Sequence, residues 1–100
     1  MSHYNQFMIK IDKDYAWLEY NDTVEACRCL NGAALKLYIY FNSFSPHEYI
    51  NFSPKDFCEE MQLSPNSEKN AFRELIKYDF LKEESKNFFI FSPFSKNGIG

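Results

Sequence analysis

Along Phe7-Met8-Ile9-Lys10-Ile11 apolar and polar positions alternate in part, the two-residue period of a strand with one buried face. Asp12-Lys13-Asp14 predicts a polar turn. Tyr15-Ala16-Trp17-Leu18-Glu19-Tyr20 then fits either a returning strand or a short helix, since so short an aromatic run satisfies both periods. Asn21-Asp22-Thr23 offers capping oxygens to a short helix over residues 24–30. Beyond Asn31-Gly32 the period becomes helical. Ala34, Leu37, Tyr38 and Phe41 recur at i, i+3, i+4 and i+7 and predict a helix over residues 33–44 with one apolar stripe. Ser45-Pro46 closes it, because the residue before a proline is disfavoured in the helical region.

Tyr49–Phe52 predicts a short strand. Ser53-Pro54-Lys55-Asp56 then carries two start signals for a helix reaching Met61: a serine that can accept from the Asp56 amide, and a proline in the first turn. Gln62-Leu63 makes a turn, and Ser64-Pro65 repeats the start for a helix over residues 65–78, with Ala71, Phe72, Leu75 and Ile76 turned inward. Asp79 ends that helix where a left-handed backbone is needed, a place glycine fills best and aspartate tolerates. Residues 80–84 and Phe88–Phe91 predict two strands joined by Ser85-Lys86-Asn87, and from Ser92 onward a polar, glycine-containing tail is expected to be loose. Glu68 breaks the pattern, for it falls on the inward side of its helix among Phe72 and Leu75; near the helix start it is expected to escape to solvent or to favour the helix dipole.

Composition narrows the class. One hundred residues with 45% hydrophobic and 19% aromatic positions make one globular domain rather than a disordered segment. No apolar run approaches the roughly 20 residues that cross a bilayer, and the first residues lack the basic and apolar regions of a secretory signal, so no membrane contact and a cytoplasmic location are expected. Cys27, Cys29 and Cys58 form neither a disulfide framework nor a zinc spacing, and read as buried or half-buried thiols. No phosphate loop, metalloprotease motif or nucleophile elbow occurs, and Glu59-Glu60 and Glu83-Glu84 are neighbours that point apart. The expectation is a protein that is not an enzyme and takes no cofactor or metal.

Charge sharpens this. The net charge is −3, against a globally basic nucleic-acid binder, yet seven of the eleven cations lie after residue 52. On a wheel of about 100° per residue, Lys69, Arg73 and Lys77 fall within about 80° of one another. Asn66 and Asn70 lie within or beside that sector, and Glu74 at its far edge. Arginine can pair with guanine, asparagine with adenine and lysine with phosphate. The candidate DNA-binding residues are therefore Asn66, Ser67, Lys69, Asn70, Arg73 and Lys77 on the helix, with Lys86 and Asn87 at the hairpin tip.

Gly32-Ala33-Ala34-Leu35-Lys36-Leu37-Tyr38-Ile39-Tyr40-Phe41 resembles the first helix of the winged helix-turn-helix domains found in plasmid and phage proteins of replication, transfer or transcription. Leu63-Ser64, Ala71-Phe72-Arg73-Glu74-Leu75 and Phe80-Leu81 resemble the third helix of those domains running into the wing. A small chain with an added N-terminal segment is also similar to transfer-origin accessory proteins of clostridial conjugative plasmids. The resemblance implies an α+β fold, a winged helix-turn-helix with a short N-terminal β extension: a strand and helix over residues 1–30 packed on the domain, a winged helix over 31–91 and a flexible tail over 92–100. It further implies specific binding of double-stranded DNA as a homodimer, with a relaxase or replication protein as partner. Glu68 and Asp79 depart from the family pattern, which has an apolar residue and a glycine there. The alternative reading is a winged helix used as a protein-interaction module, an adaptor or an inhibitor of a host enzyme, to which the acidity and the surplus of rings point.

Overall fold

A computed structural model describes residues 6–13 and 20–93. Within them the order is β1 (Phe7–Ile11), α1 (Tyr20–Cys29), α2 (Gly32–Asn42), β2 (Tyr49–Phe52), α3 (Pro54–Met61), α4 (Pro65–Lys77), β3 (Leu81–Ser85) and β4 (Phe88–Phe91). The class is α+β, and the strands form one mixed sheet in the order β2-β1-β4-β3. β1 pairs antiparallel with β2 and parallel with β4, which pairs antiparallel with β3. The N-terminal strand is thus an inner strand of the sheet rather than an addition laid against it. No helix among the described residues is long and apolar enough to cross a membrane.

Two helices start as the sequence predicts. Ser53 caps α3 by accepting from the Asp56 amide at 3.3 Å, and Ser64 caps α4 by accepting from the Ser67 amide at 3.0 Å, each followed by proline in the first turn. α2 is capped by Asn31, whose Oδ1 accepts from the Ala34 amide at 2.9 Å. Its far end is closed from another element: the Lys13 ammonium donates to the carbonyl of Asn42 and, at 3.3 Å, to its Oδ1. A cation there meets an orphan carbonyl at the negative end of the helix. Lys13 is only 4% exposed, and burial lowers its pKa. The polar turn expected at 12–14 therefore hides a buried lysine.

The stripe Ala34, Leu37, Tyr38 and Phe41 is fully buried. It faces the inner side of the sheet, where Phe41 lies 5.1 Å from Phe52 and 5.2 Å from Phe91 between ring centroids. Phe72 of α4 stacks on Phe7 at 5.0 Å and meets Phe89 edge-on at 5.1 Å, so rings from β1, β4 and α4 share one core. α3 and α4 are joined by Gln62, Leu63 and Ser64, with Gln62 left-handed at φ 57° and its amide bonded to the Cys58 carbonyl. Asp79 is also left-handed, at φ 66°, as its position requires.

Several expectations need correction. Helix α1 begins at Tyr20, so Asn21, Asp22 and Thr23 lie inside its first turn and do not precede it. The rest of that aromatic segment, 15–19, and Asp14 of the expected turn lie outside the described residues. Helix α2 stops at Asn42, two residues short of the predicted end. Ile76 is 39% exposed, because it sits at the edge of the α4 stripe rather than within it. Cys27 is exposed, while Cys29 is half-buried and Cys58 buried. Ser92 and Pro93 are not loose: the Ser92 amide donates to the Phe80 carbonyl at 2.8 Å, and Pro93 is buried. The remainder of the tail, 94–100, lies outside the described residues.

Candidate nucleic-acid interface

Helix α4 divides cleanly by exposure. Glu68, Ala71, Phe72 and Leu75 are buried, and Asn66, Lys69, Asn70, Arg73 and Lys77 are all exposed. The division follows from the helical period, since the buried set occupies one side and the polar set returns on the other. Three cations and two amides therefore share an outer face held rigid by the ring core beneath it. Within that face Asn70 Oδ1 accepts from Arg73 Nη1 at 3.5 Å, a long bond that biases the guanidinium along the helix. Lys77 Nζ lies 5.4 Å from the centroid of the Tyr78 ring.

Glu74, the acidic residue beside this face, is turned to another task. Its Oε1 accepts from the Asn31 amide at 3.2 Å and its Oε2 from Asn31 Nδ2 at 3.0 Å. The carboxylate thereby ties the start of α2 to the C-terminal part of α4, at the flank of the cationic sector. The sequence wheel places Glu74 at that edge, but its partner 43 positions away could not be read from spacing.

Ser67 does not join the others. It is half-buried, its amide donates to Ser64 Oγ, and its hydroxyl accepts from the same group at 3.0 Å, so it serves the cap. Lys86 and Asn87 are exposed on the separate β3–β4 hairpin. Asn87 adopts the left-handed region at φ 60°, and its carbonyl accepts from the Met8 amide at 2.8 Å, which fastens the hairpin tip to β1. The hairpin is not a basic arm, because Glu83 and Glu84 are exposed on β3 between Lys82 and Lys86.

Beneath the outer face, Glu68 is 3% exposed and its pKa is raised to about 7. Burial is the cause, opposed by the positive charge of Lys69. The same carboxyl and Glu59 add to the effect of burial in raising the Cys58 thiol. A neutral Glu68 suits the interior between α3 and α4, and a charged one does not.

Among the described residues no cluster of His, Cys, Asp or Glu has the makings of a metal site. Comparison with family models, with curated proteins and with solved structures finds no match for the chain.

Proposed function

We propose that the chain is a winged helix-turn-helix that binds a specific site on double-stranded DNA, with α4 as the helix that enters the major groove. The observation that carries this reading is the outer face of α4, where Asn66, Lys69, Asn70, Arg73 and Lys77 are exposed together and Glu74 is held aside by Asn31. The order α2, β2, α3, three-residue turn, α4 and hairpin supports it. In this arrangement β1 is an additional strand set between β2 and β4. Arg73 and the two asparagines supply bidentate groups for base edges, and Lys69 and Lys77 supply charge to phosphates.

The role is non-catalytic: a homodimeric accessory at a transfer or replication origin, or a regulator of transcription, acting beside a relaxase or replication protein. With a net charge of −3, non-specific affinity is weak and specificity rests on a small patch. A second reading, a module that binds a protein partner, is favoured by Glu83 and Glu84 exposed along the wing strand. Fluorescence polarisation against pooled duplex fragments at low and moderate salt separates the two. Saturable binding to a subset of fragments supports DNA recognition, and binding to no duplex even at low salt assigns the chain to a protein partner.

A further inference from the structure

Helix α4 carries a buried acid directly beside its cationic face. Glu68 sits in the first turn, 3% exposed, on the side packed against the body of the protein. Lys69, the next residue, is exposed on the outer face with Arg73 and Lys77. Consecutive helical residues project about 100° apart, so the carboxyl lies beneath the face whose ammonium is its chain neighbour. Few other ionisable groups surround it. From α3, the Cys58 thiol feels the charge of Glu68 and that of Glu59, and Lys55 lines a surface hollow with those two α3 residues. From α2, Tyr40 feels Glu60 and Asp56, and Lys36 is exposed. β3 follows α4 from its opposite end, and its Lys82, Glu83 and Glu84 are exposed. Lys69 is the charge that favours an ionised Glu68 against its burial.

We propose that duplex binding by the outer face of α4 is coupled through Lys69 to protonation of Glu68, so that the chain grips DNA with the acid neutral and loosens as it ionises. The inference rests on the duplex reading of α4 and adds its regulation. A phosphate paired with Lys69 takes up the charge that eases the ionisation of Glu68. Its own negative charge, felt across a poorly polarisable interior, opposes that ionisation further. Glu68 therefore holds its proton more tightly in the complex than in the free chain. Linkage fixes the reverse: a chain that already holds the proton binds the duplex more tightly. Since the acid of the free chain has its pKa at about 7, affinity is full well below neutrality. It falls as pH rises through that value and levels off once the higher pKa of the complex is passed. Each duplex bound near neutral pH draws part of a proton from solvent onto the Glu68 carboxyl.

Two measurements on the whole chain test the coupling. The side-chain carboxyl carbon of Glu68 is titrated by NMR, free and bound to a duplex selected from pooled fragments at about pH 6. The midpoint rises by about one pH unit on binding, and Lys69→Gln raises it in the free chain, where no DNA takes part. Fluorescence polarisation with the same duplex is then followed from about pH 6 to about pH 8.5. Wild type loses affinity over that range by about tenfold more than Glu68→Gln, which keeps both histidines but cannot ionise at this position. The coupling is overturned if the Glu68 midpoint is the same free and bound, if Lys69→Gln leaves it in place, or if wild type and Glu68→Gln lose affinity alike. A chain that binds no duplex at any of these pH values overturns the reading of α4 and the coupling with it. A duplex that binds without moving Glu68 overturns the coupling alone.

Discussion

Asn31 and Glu74 hold each other at two points: the carboxylate of Glu74 accepts from both the backbone amide and the side-chain amide of Asn31. Asn31 also caps α2, so one side chain serves a helix start and a helix–helix tie at once. Asn31→Ala should therefore cost more than an ordinary cap, about 1–2 kcal/mol in urea denaturation. A double-mutant cycle with Glu74→Ala should give a coupling above about 0.5 kcal/mol. Additive effects would mean that the two groups do not act together.

Glu68 makes stability depend on pH in an unusual sense. Its folded pKa of about 7 lies above the ordinary 4.5, so between those values the folded chain holds a proton that the unfolded chain releases. The contribution is complete below about pH 4.5 and is lost as pH rises through 7. Over that window the loss reaches about 3 kcal/mol at most. Glu68→Gln should flatten the profile between about pH 5 and 8 and stabilise the chain at pH 8 by about 1–3 kcal/mol. Denaturation midpoints of the two proteins at several pH values measure both effects.

The turn between α3 and α4 offers a second stabilising substitution. Gln62 holds φ 57°, which costs a residue with a side chain about 1–2 kcal/mol, less the freedom that glycine brings to the unfolded chain. Gln62→Gly should stabilise by about 0.5–1 kcal/mol, and Asp79→Gly by less, since aspartate tolerates that region better. Thermal melts of the two variants rank them.

Because β1 lies between β2 and β4, the segment 31–91 lacks the strand that joins its own hairpin to β2. Ile9, fully buried, should cost about 2–5 kcal/mol as Ile9→Ala. A chain beginning at residue 31 should show little of the native near-ultraviolet signal that the ring core produces. A truncated chain with native stability would show β1 to be dispensable.

Much of this was legible in sequence because it is local. Serine–proline starts, the stripe on α2 and the polar face of α4 each depend on residues within about three turns of one another. Asp79 was also legible, and its left-handed backbone is what the end of that helix demands; Glu68 was legible as a departure from period, but its burial was not, since a carboxylate near a helix start can equally turn to solvent. The pairings were not. Nothing in Phe7–Ile11 tells that it runs parallel to a strand 80 residues later, nor that Lys13 reaches the end of α2. Ile76 was misplaced because a residue at the edge of a stripe is buried or bare according to what packs beside it, which the helical period does not contain.

Recognition by the outer face of α4 stands or falls on one titration. A duplex selected from pooled fragments is titrated with wild type and with the Arg73→Ala, Lys77→Ala double variant across a range of salt. Affinity should fall at least tenfold, the bidentate contact of Arg73 being worth about 1–3 kcal/mol, and the salt slope should become shallower by about 1 to 2. Equal affinity and equal slope for the two proteins would rule out the outer face of α4 and move recognition to the hairpin or the N-terminal segment.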